Sequence, residues 1–584
     1  MTGLGEREAA LPRAPLPRLE RSCRLFLDWC APLLSPDELA RTRDAVGAFL
    51  AGDGPLLQSE LERYDADERN ASWLDEFWRD RYLGRRDPIA VNANFFFRFR
   101  SEAGHDAGQL QRAAGLLRRA VDLRLRIDRD ELPRSATPTS ERQLRHLFCT
   151  MRIPGVERDT VRTQYTGGAG PSAARHVLVF FRGHLFALDV LDEAGVPYAE
   201  AALRTALARI TAAVGSPAAH PVGALTTGPR AQWATDREAL RATGNDAALE
   251  WVQTAMCGLA LESEQPADAQ AIDHALLAGS GRDRWFDLAT TFVVFPDGTA
   301  GLNSEHCLLD GMTILTLIED LAAPRRLPAA AEGAPAVRPV AFRLDDDLRA
   351  RVDRALADFE VLGDRTALRR VPIDGLSRDA AKSLGCSPDA FFQIALQLAQ
   401  VRARGGVGAT YESIATRGWR NGRTEAMRVV TPQLVAFTRA MTEDADDARR
   451  IAAFDAAAEA HAARVRACRR GDAPEQHLWE LDRIRVRRGA QLGIRDQPAL
   501  FGSPGWQRMR DDALSTSAAV TEAVDSWGFG ATGASCIGVA YALAPEHGFV
   551  CLSTPAPVAG PLSRLAAELQ RAVTEITTLL RGRR

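Results

Sequence analysis

A low-complexity segment rich in proline and alanine divides this chain into two parts of unequal length. Residues 322–340 read AAPRRLPAAAEGAPAVRPV and contain four prolines, which lack the backbone N–H that a helix interior or a central strand needs. Strand-like runs and helical patterns occur on both sides of this segment. We therefore expect an α/β fold of two lobes with mixed β-sheets flanked by helices. The first lobe spans 1–340 and ends in the linker, and the second spans 341–584.

Local patterns within the two parts support this expectation. The runs HVLVFF at 176–181 and FALDV at 186–190 flank an Arg-Gly turn, which predicts a hairpin. The runs TTFVVF and TAGL over 290–302 flank Pro-Asp-Gly and predict a second hairpin. Residues 246–261 have the period of a helix. The Ser-Pro-Asp sequence that begins at Ser387 is typical of a helix N-terminus.

The composition excludes several classes of function. The chain has 584 residues, of which 46% are hydrophobic and 26% are charged, and its net charge is −3. These values are ordinary for a soluble globular protein with a large core. A nucleic-acid-binding chain usually has a basic excess, so we expect no nucleic-acid partner. A membrane span needs about 18 or more consecutive apolar residues, and the sequence contains no such run, so we expect none.

The cysteines and the single lysine indicate the compartment and the source. None of the nine cysteines belongs to a Cys-x-x-Cys pair, which disfavours a zinc site or a disulfide framework and fits a reducing cytoplasm. We therefore expect a cytoplasmic protein without a metal site. Lys382 is the only lysine among 73 basic residues, and this arginine bias is typical of a GC-rich bacterial coding sequence.

The sharpest local motif is NSEHCLLDG at 303–311. His306 follows a predicted strand and precedes an Asp-Gly pair by four residues. An imidazole with a pKa near about 6.5 can accept a hydroxyl proton at neutral pH, and Asp310 can cap the next helix and shape the loop. A packed histidine beside an ordinary cap would give the same short pattern.

Two further groups of residues are candidates for contacts with substrates. Ser515, Thr516 and Ser517 place three hydroxyls on an extended segment, and hydroxyl donors can stabilise an oxyanion. Arg378 and Lys382 are four residues apart and would form a phosphate-binding pair on one helix face. A polar strand and a solvated basic face are the alternative interpretations.

Polar residues at 410–413 and 422–425 form another candidate site. Tyr411 and Thr424 carry hydroxyls that could contact a small polar ligand, although two ordinary strands would look similar. The sequence lacks the Gly-x-Ser-x-Gly elbow, the phosphate-binding loop and the His-Glu-x-x-His zinc motif.

Taken in order along nearly the whole chain, the segments of this sequence resemble the choline/carnitine O-acyltransferase family. The segments that carry the resemblance are LPRLE at 16–20, WLDEFWRDRYL at 73–83, RIPG at 152–155, LTTGPRAQWATDREAL at 225–240, RWFD at 284–287, SPDAFFQIALQLA at 387–399, TYES at 410–413, GRTE at 422–425, LSTS at 514–517 and GFG at 528–530. No single segment is decisive, but the ordered set is highly specific. The resemblance implies two lobes similar to chloramphenicol acetyltransferase, with an active-site tunnel between them.

The resemblance also implies roles for individual residues. His306 matches the catalytic base, Asp310 its acidic support and Ser517 the oxyanion donor, with Ser515 and Thr516 beside it. The positions that match coenzyme A contacts are Arg378, Lys382, Asp389 and Glu412, the first two near the 3′-phosphate. The positions that match acceptor contacts are Tyr411 and Thr424 at the carboxylate of carnitine and Phe529 near its trimethylammonium group.

Two departures from the family pattern bear on specificity. Gln476, in EQHL at 475–478, stands where carnitine-using members have an arginine and choline-using members an asparagine. It lacks the charge that would strengthen a hydrogen bond to a carboxylate, so a choline-like or other small alcohol is a plausible acceptor. Trp527 lies where a bulky residue closes the acyl pocket, which predicts a short acyl group.

We therefore expect an acyltransferase that moves an acyl group from acyl-CoA to the hydroxyl of a small carnitine- or choline-like acceptor. Acyl-CoA is a co-substrate, and no permanently bound cofactor is expected. One alternative is an acyltransferase of specialised metabolism that uses another alcohol or the thioester of an acyl carrier protein, because condensation domains share the His-x-x-x-Asp-Gly core. A less favoured alternative is a non-catalytic acyl-CoA-binding protein.

Overall fold

The computed structural model describes most of the chain and shows a mixed α/β fold. The described residues are 4–101, 108–132, 137–165, 172–443, 445–555 and 560–583. Their helices are α1 (Leu4–Ala9), α2 (Leu19–Cys30), α3 (Pro36–Ala51), α4 (Gly54–Asp65), α5 (Asp75–Leu83), α6 (Ile89–Asn92), α7 (Gln109–Asp128), α8 (Glu200–Ala213), α9 (Arg230–Ala242), α10 (Asp246–Gln253), α11 (Ala269–Leu277), α12 (Gly311–Ala322), α13 (Asp346–Asp364), α14 (Arg378–Ser383), α15 (Pro388–Arg404), α16 (Pro432–Thr442), α17 (Asp447–Arg469), α18 (Glu475–Arg488), α19 (Pro504–Arg510) and α20 (Gly560–Arg581).

The strands in the same part of the chain form two large sheets and one small sheet. They are β1 (Phe95–Phe99), β2 (Thr150–Ile153), β3 (Thr160–Thr163), β4 (His176–Phe181), β5 (His184–Asp189), β6 (Gly258–Leu261), β7 (Thr290–Val294), β8 (Ala300–Ser304), β9 (Val337–Pro339), β10 (Thr366–Pro372), β11 (Thr410–Ala415), β12 (Thr424–Arg428), β13 (Leu514–Ala518), β14 (Val524–Phe529), β15 (Ile537–Leu543) and β16 (Gly548–Pro555). Short 3₁₀ helices span Ala31–Leu33, Arg142–His146, Val222–Thr227 and Ala499–Gly502.

Both large sheets are mixed, so the predicted fold class is confirmed. The eight-stranded sheet has the order β14-β1-β8-β7-β6-β4-β5-β9, and the six-stranded sheet has the order β10-β16-β15-β13-β11-β12. In the first sheet β6 pairs in parallel with β4 and β7. In the second, β13 pairs in parallel with β11 and β15. The other pairs are antiparallel, as the two predicted hairpins β4–β5 and β7–β8 require.

One predicted element differs from the structure. The expected helix over 246–261 ends at Gln253, and its last part is instead the buried strand β6. Every residue of Gly258–Leu261 is apolar and buried. Both edges of this strand are paired in the sheet. A short run of this kind has no period that distinguishes a strand from a buried helix.

Helix α15 forms as its sequence predicts. The hydroxyl of Ser387 accepts a hydrogen bond from the backbone N–H of Ala390, and Pro388 occupies the first helical position. The helix ends at Gly405, whose φ of 82° is the left-handed conformation that glycine favours. It packs against α20 within the hydrophobic core that also includes side chains of the six-stranded sheet.

Hydrophobic packing crosses the predicted division at residue 340 in both directions, and the division itself stays a prediction. Side chains of α2, α3 and α4 belong to the core that surrounds α15 and α20. Side chains of α13 and β14 belong to the core of the eight-stranded sheet. The last part of the linker, Val337–Pro339, is an edge strand paired with β5.

Two general features bear on the expected environment. All nine cysteines are free thiols, and the expected cytoplasmic location stays a prediction. In the described part of the chain, none of the helices combines the length and the apolar character that a membrane span requires.

Candidate active site

A large cavity lies where the two halves of the chain meet. Its volume is about 660 Å³. Helix α5, the paired strands β1 and β14 and the loop after β8 line it, together with strands β11, β12 and β13 of the six-stranded sheet. Its polar and aromatic lining includes Arg81, Tyr82, Phe95, His306, Asp310, Tyr411, Thr424, Trp479, Arg510, Ser515, Ser517, Trp527 and Phe529.

The imidazole of His306 opens into this cavity from the loop between β8 and α12. Its side chain keeps 29% exposure. Phe95 meets the ring edge-on, with centroids 5.0 Å apart, and the Tyr82 hydroxyl lies 3.4 Å from Nε2. The opposite nitrogen, Nδ1, is 3.7 Å from Oδ1 of Asp310. The ring is therefore fixed between two aromatic side chains and a carboxylate.

These surroundings keep His306 neutral near pH 7. Burial lowers the pKa of the imidazole below its usual value, Asp310 partly opposes this shift, and the positive charge of Arg423 adds to it. The side chain keeps 29% exposure on the side that lines the cavity, and burial of the rest of the ring is the main cause of the lowered pKa. A neutral imidazole can accept a proton, as a general base must.

Asp310 lies at the N-cap of α12, as predicted, but its side chain does not cap the helix. Both carboxylate oxygens instead bind Arg423, at 2.8 Å from Nη2 and 3.0 Å from Nε. Gln143 donates to the same carboxylate at 2.6 Å. Although burial opposes it, the guanidinium of Arg423 holds the pKa of Asp310 below its usual value.

Arg423 is a site residue that the sequence analysis did not identify. It donates to the backbone carbonyl of Cys307 at 2.9 Å and to that of His306 at 3.2 Å. Its guanidinium also stacks on the ring of Tyr82, 4.6 Å from the centroid. It comes from the GRTE segment next to Thr424, so a residue from the second half of the chain holds the loop of His306 in the first half.

Strand β13 presents its hydroxyls in the centre of the six-stranded sheet. Ser515, Thr516 and Ser517 all contribute to the cavity lining. The Thr516 hydroxyl, however, donates to the backbone carbonyl of Tyr411 at 2.8 Å and accepts from Gln393 at 3.0 Å. The hydroxyls of Ser515 and Ser517 make no hydrogen bond to another described residue, so these two are available to a ligand.

Strand β14 places two aromatic side chains in the cavity wall. Trp527 stacks on Phe97, with centroids 5.6 Å apart and planes at 15°. Its indole N–H donates to the carbonyl of Tyr541 at 3.2 Å, which fixes the orientation of the ring. Phe529 lies beside it, 5.9 Å from centroid to centroid.

Not all of the predicted acceptor residues line the cavity. Tyr411 and Thr424 line the cavity, and burial raises the pKa of the Tyr411 hydroxyl, which therefore stays protonated. Gln476 is 1% exposed and is not part of the lining. Its amide donates to the backbone carbonyl of Thr424 at 3.4 Å, one layer behind the cavity.

Two of the predicted coenzyme A residues, Asp389 and Glu412, form a partly buried network outside the cavity. The Tyr541 hydroxyl lies 2.6 Å from Oε1 of Glu412 and also hydrogen-bonds Asp389, which accepts from His461 at 2.9 Å. One hydroxyl proton cannot serve both carboxyls. Glu412 is the carboxyl that carries the additional proton, because burial and the charge of Asp389 raise its pKa to about 8.

This network also has the composition of a metal site. The ligand atoms of Asp389, Glu412 and His461 lie within 4.8 Å of one another. Most of their hydrogen-bonding capacity is used within the network, and the expectation of no metal stays a prediction.

The predicted phosphate-binding pair lies on the short helix α14 beside α15. Arg378 and Lys382 are one turn apart. Lys382 is exposed and Arg378 is partly exposed, and neither belongs to the cavity lining. A ligand that reaches both the pair and His306 would therefore extend from the surface into the cavity.

Comparisons with known proteins agree over almost the full length. A family model described as "Choline/Carnitine o-acyltransferase" matches residues 14–571. The chain is 28% identical to mitochondrial carnitine O-palmitoyltransferase 2 of Mus musculus, over 91% of this chain and 86% of that protein. It is 27% identical to carnitine O-acetyltransferase of Homo sapiens, over 98% of this chain and 94% of that protein.

Solved structures give weaker similarities. A trichothecene 15-O-acetyltransferase from Fusarium sporotrichioides aligns with a TM-score of 0.38 and 10% identity, over 83% of this chain and 91% of that one. A condensation domain of the enacyloxin polyketide synthase aligns with a TM-score of 0.34 and 13% identity, over 85% and 80%. Similarities at this level support no conclusion about substrate or mechanism. The family model, in contrast, matches residues 14–571. The chain therefore belongs to the choline/carnitine O-acyltransferase family and is an acyl-CoA-dependent O-acyltransferase.

Proposed function

We propose that this protein transfers a short acyl group from acyl-CoA to the hydroxyl of a small, carnitine-like acceptor, with His306 as general base and Ser517 as oxyanion donor. The observation that carries the proposal is the shared cavity. A neutral imidazole lines it together with two serine hydroxyls that have no described partner. Both groups come from opposite halves of the chain, so substrates that enter between the halves meet them together.

The reaction follows from these groups. His306 accepts the hydroxyl proton of the acceptor while the acceptor oxygen attacks the thioester carbonyl. The carbonyl oxygen becomes negatively charged, and the Ser517 hydroxyl donates a hydrogen bond to it, with Ser515 nearby. Collapse of the tetrahedral intermediate releases coenzyme A, whose thiolate takes the proton back from His306. Both substrates bind at once, so no acyl-enzyme is required.

Tyr82 takes part in this scheme as a neighbour of the base. Burial raises the pKa of its hydroxyl to about 12, so it is protonated and can donate to Nε2 of His306. The separation of 3.4 Å is long for such a bond. An acceptor hydroxyl can therefore replace Tyr82 at Nε2 without breaking a strong interaction.

The preference for a short acyl group rests on Trp527. Curated relatives include both a palmitoyltransferase and an acetyltransferase, so the comparisons do not choose between chain lengths. The indole stacks on Phe97 and donates to Tyr541, and these contacts resist the rotation that would open the wall. A long acyl chain would have to displace it.

The contacts with coenzyme A are proposed for the surface beside α15. Arg378 and Lys382 offer two cations one turn apart, which suits a phosphate group. Asp389 lies at the start of α15 and joins Glu412 through Tyr541. These residues support a nucleotide outside the cavity whose thioester arm reaches His306.

Substitution of the base tests the mechanism. In His306→Ala, turnover measured by release of coenzyme A thiol should fall by about 10²–10⁴-fold, because no other described group at the same position can take the proton. The KM for acyl-CoA should change little. His220→Ala, which removes a partly exposed imidazole paired with Asp353, serves as control. Turnover of His306→Ala near the parental rate would contradict the proposal.

A further inference from the structure

The charged residues around the cavity are not balanced. Most of its arginines have a carboxylate partner: Arg428 binds Glu475 at 2.7 Å, and Arg483 lies 3.1 Å from Asp482. Arg81 differs, because it forms neither an ion pair nor a hydrogen bond with any other described residue. A cation in a partly enclosed site without an ion pair of its own leaves room for a ligand to supply the partner charge.

Arg81 is held in place by an aromatic ring. Its guanidinium lies 4.6 Å from the centroid of Trp479, which also lines the cavity. Helix α5 fixes its backbone, and the next residue, Tyr82, contacts His306. Stacking orders the planar guanidinium while its N–H groups stay free, which is the arrangement that suits recognition of a carboxylate.

Arg510 adds a second positive charge at the same wall. Its guanidinium lies 5.4 Å from the centroid of Trp479 and stacks closely on Trp506. Its nearest carboxylate is Glu475, at 3.9 Å, which already binds Arg428. Burial lowers the pKa of Arg510 to about 10, so it remains charged at neutral pH.

The charge count at this wall favours an anion. Arg428 and Arg510 share the carboxylates of Glu475 and Asp512 as ion-pair partners, and Arg81 adds a third positive charge that acts on both carboxylates without pairing with either. The charge of Arg81 also acts on the nearby Tyr411 hydroxyl, which is one of the proposed acceptor contacts. The excess of one positive charge therefore lies at the acceptor end, and the proposed coenzyme A residues lie outside the cavity.

We propose that Arg81, supported by the field of Arg510, binds a carboxylate on the acceptor, so that the acceptor is an anionic or zwitterionic alcohol rather than a choline-like cation. This inference rests on the proposed function. Gln476 is uncharged and lies behind the cavity, so it cannot provide this contact. Arg81 reaches the same cavity from the opposite half of the chain, and its guanidinium can bind both carboxylate oxygens at once.

Paired acceptors test the inference. L-carnitine and its methyl ester have the same hydroxyl and the same trimethylammonium group, but only the first has a carboxylate. The parent should prefer L-carnitine in kcat/KM. In Arg81→Met, which keeps an apolar stem on Trp479, this preference should fall by about 10- to 100-fold through loss of charge-assisted hydrogen bonds. The KM for acyl-CoA should not change, and Arg81→Lys should recover part of the preference.

A matched control and a binding measurement separate the possible results. Arg79→Met removes an exposed arginine from the same helix and should leave the preference unchanged. A parent that uses the ester or choline at least as well as L-carnitine, or an Arg81→Met variant with the parental preference, would overturn the inference while the proposed function stands. If no acceptor gives thiol release, the proposed function fails. In that case, calorimetric titration of L-carnitine and its methyl ester decides the inference. The inference requires that the parent binds L-carnitine more tightly than the ester and that Arg81→Met loses this difference.

Discussion

At the scale of single residues, Asp310 and Arg423 set the charge state of His306 in opposite directions. Asp310 raises the pKa of the imidazole and Arg423 lowers it, while burial provides the largest shift, downward. The two residues also bind each other at 2.8 Å. The imidazole of His306 is therefore neutral at pH 7 but remains coupled to a buried ion pair that joins the two halves of the chain.

Neutralising the aspartate should shift the pH profile. In Asp310→Asn the negative charge that raises the pKa of His306 is lost, so this pKa falls further. The histidine must be neutral to accept a proton, so the acid limb of kcat/KM against pH should move to lower pH. Measurement of kcat/KM from pH 5 to 8 checks this, and an acid limb that stays in place or moves to higher pH would contradict it.

The Asp310→Asn variant also loses stability, and a control must separate this loss from the effect on the pH profile. Arg423 would remain buried without its counter-ion, which destabilises a protein by about 3–5 kcal/mol, measurable by urea unfolding. Asp346→Asn removes a carboxylate from an exposed pair with Arg349. It should change neither the free energy of unfolding nor the acid limb appreciably.

At the scale of elements, β14 connects the two halves at the site itself. It pairs with β1 so that Trp527 lies opposite Phe97, and it adds an edge strand to a sheet formed otherwise by residues before 340. Its side chains also pack beside β15 and β16. The wall of the proposed acyl pocket is therefore a strand that contacts elements from both halves of the chain, and these contacts resist its displacement.

Truncation of the indole should lengthen the acyl group that is accepted. In Trp527→Ala, the ratio of kcat/KM for octanoyl-CoA to that for acetyl-CoA should rise by about 10-fold or more, because the space of the ring becomes available to methylene groups. The free energy of unfolding should fall by about 3–5 kcal/mol. Trp251→Ala, at an exposed position on α10, should leave the ratio unchanged. An unaltered ratio in Trp527→Ala would show that this wall does not limit chain length.

The elements that sequence could predict are those specified locally. The hairpin β4–β5 and the capped helix α15 follow from turn residues, alternation and N-cap chemistry within a few positions. The pairing of β14 with β1 joins residues more than 400 positions apart, and no local pattern encodes it. Similarly, the local motif predicts His306 as a site residue. The hydrogen bond from Arg423 to the backbone carbonyl of His306 depends instead on how the two halves of the chain pack.

At the scale of the whole molecule, the two halves exchange elements. Helices α2 to α4 pack into the core of the second half, and α13 and β14 pack into the core of the first. Each hydrophobic core therefore contains side chains from both ends of the chain. The linker that separates the halves in sequence is not a boundary in the packing, and neither half buries its core without the other.

Cleavage of the linker should therefore leave one particle. A protease recognition sequence inserted between Ala329 and Ala330, in an exposed stretch without regular structure, allows the chain to be cut after folding. The two fragments should co-elute in size-exclusion chromatography and keep thiol-releasing activity, because the exchanged elements hold both cores together. The uncut insertion variant is the control. Separation of the fragments without denaturant would mean that the crossed packing contributes little to stability, and that the cavity between the halves depends on the covalent link alone.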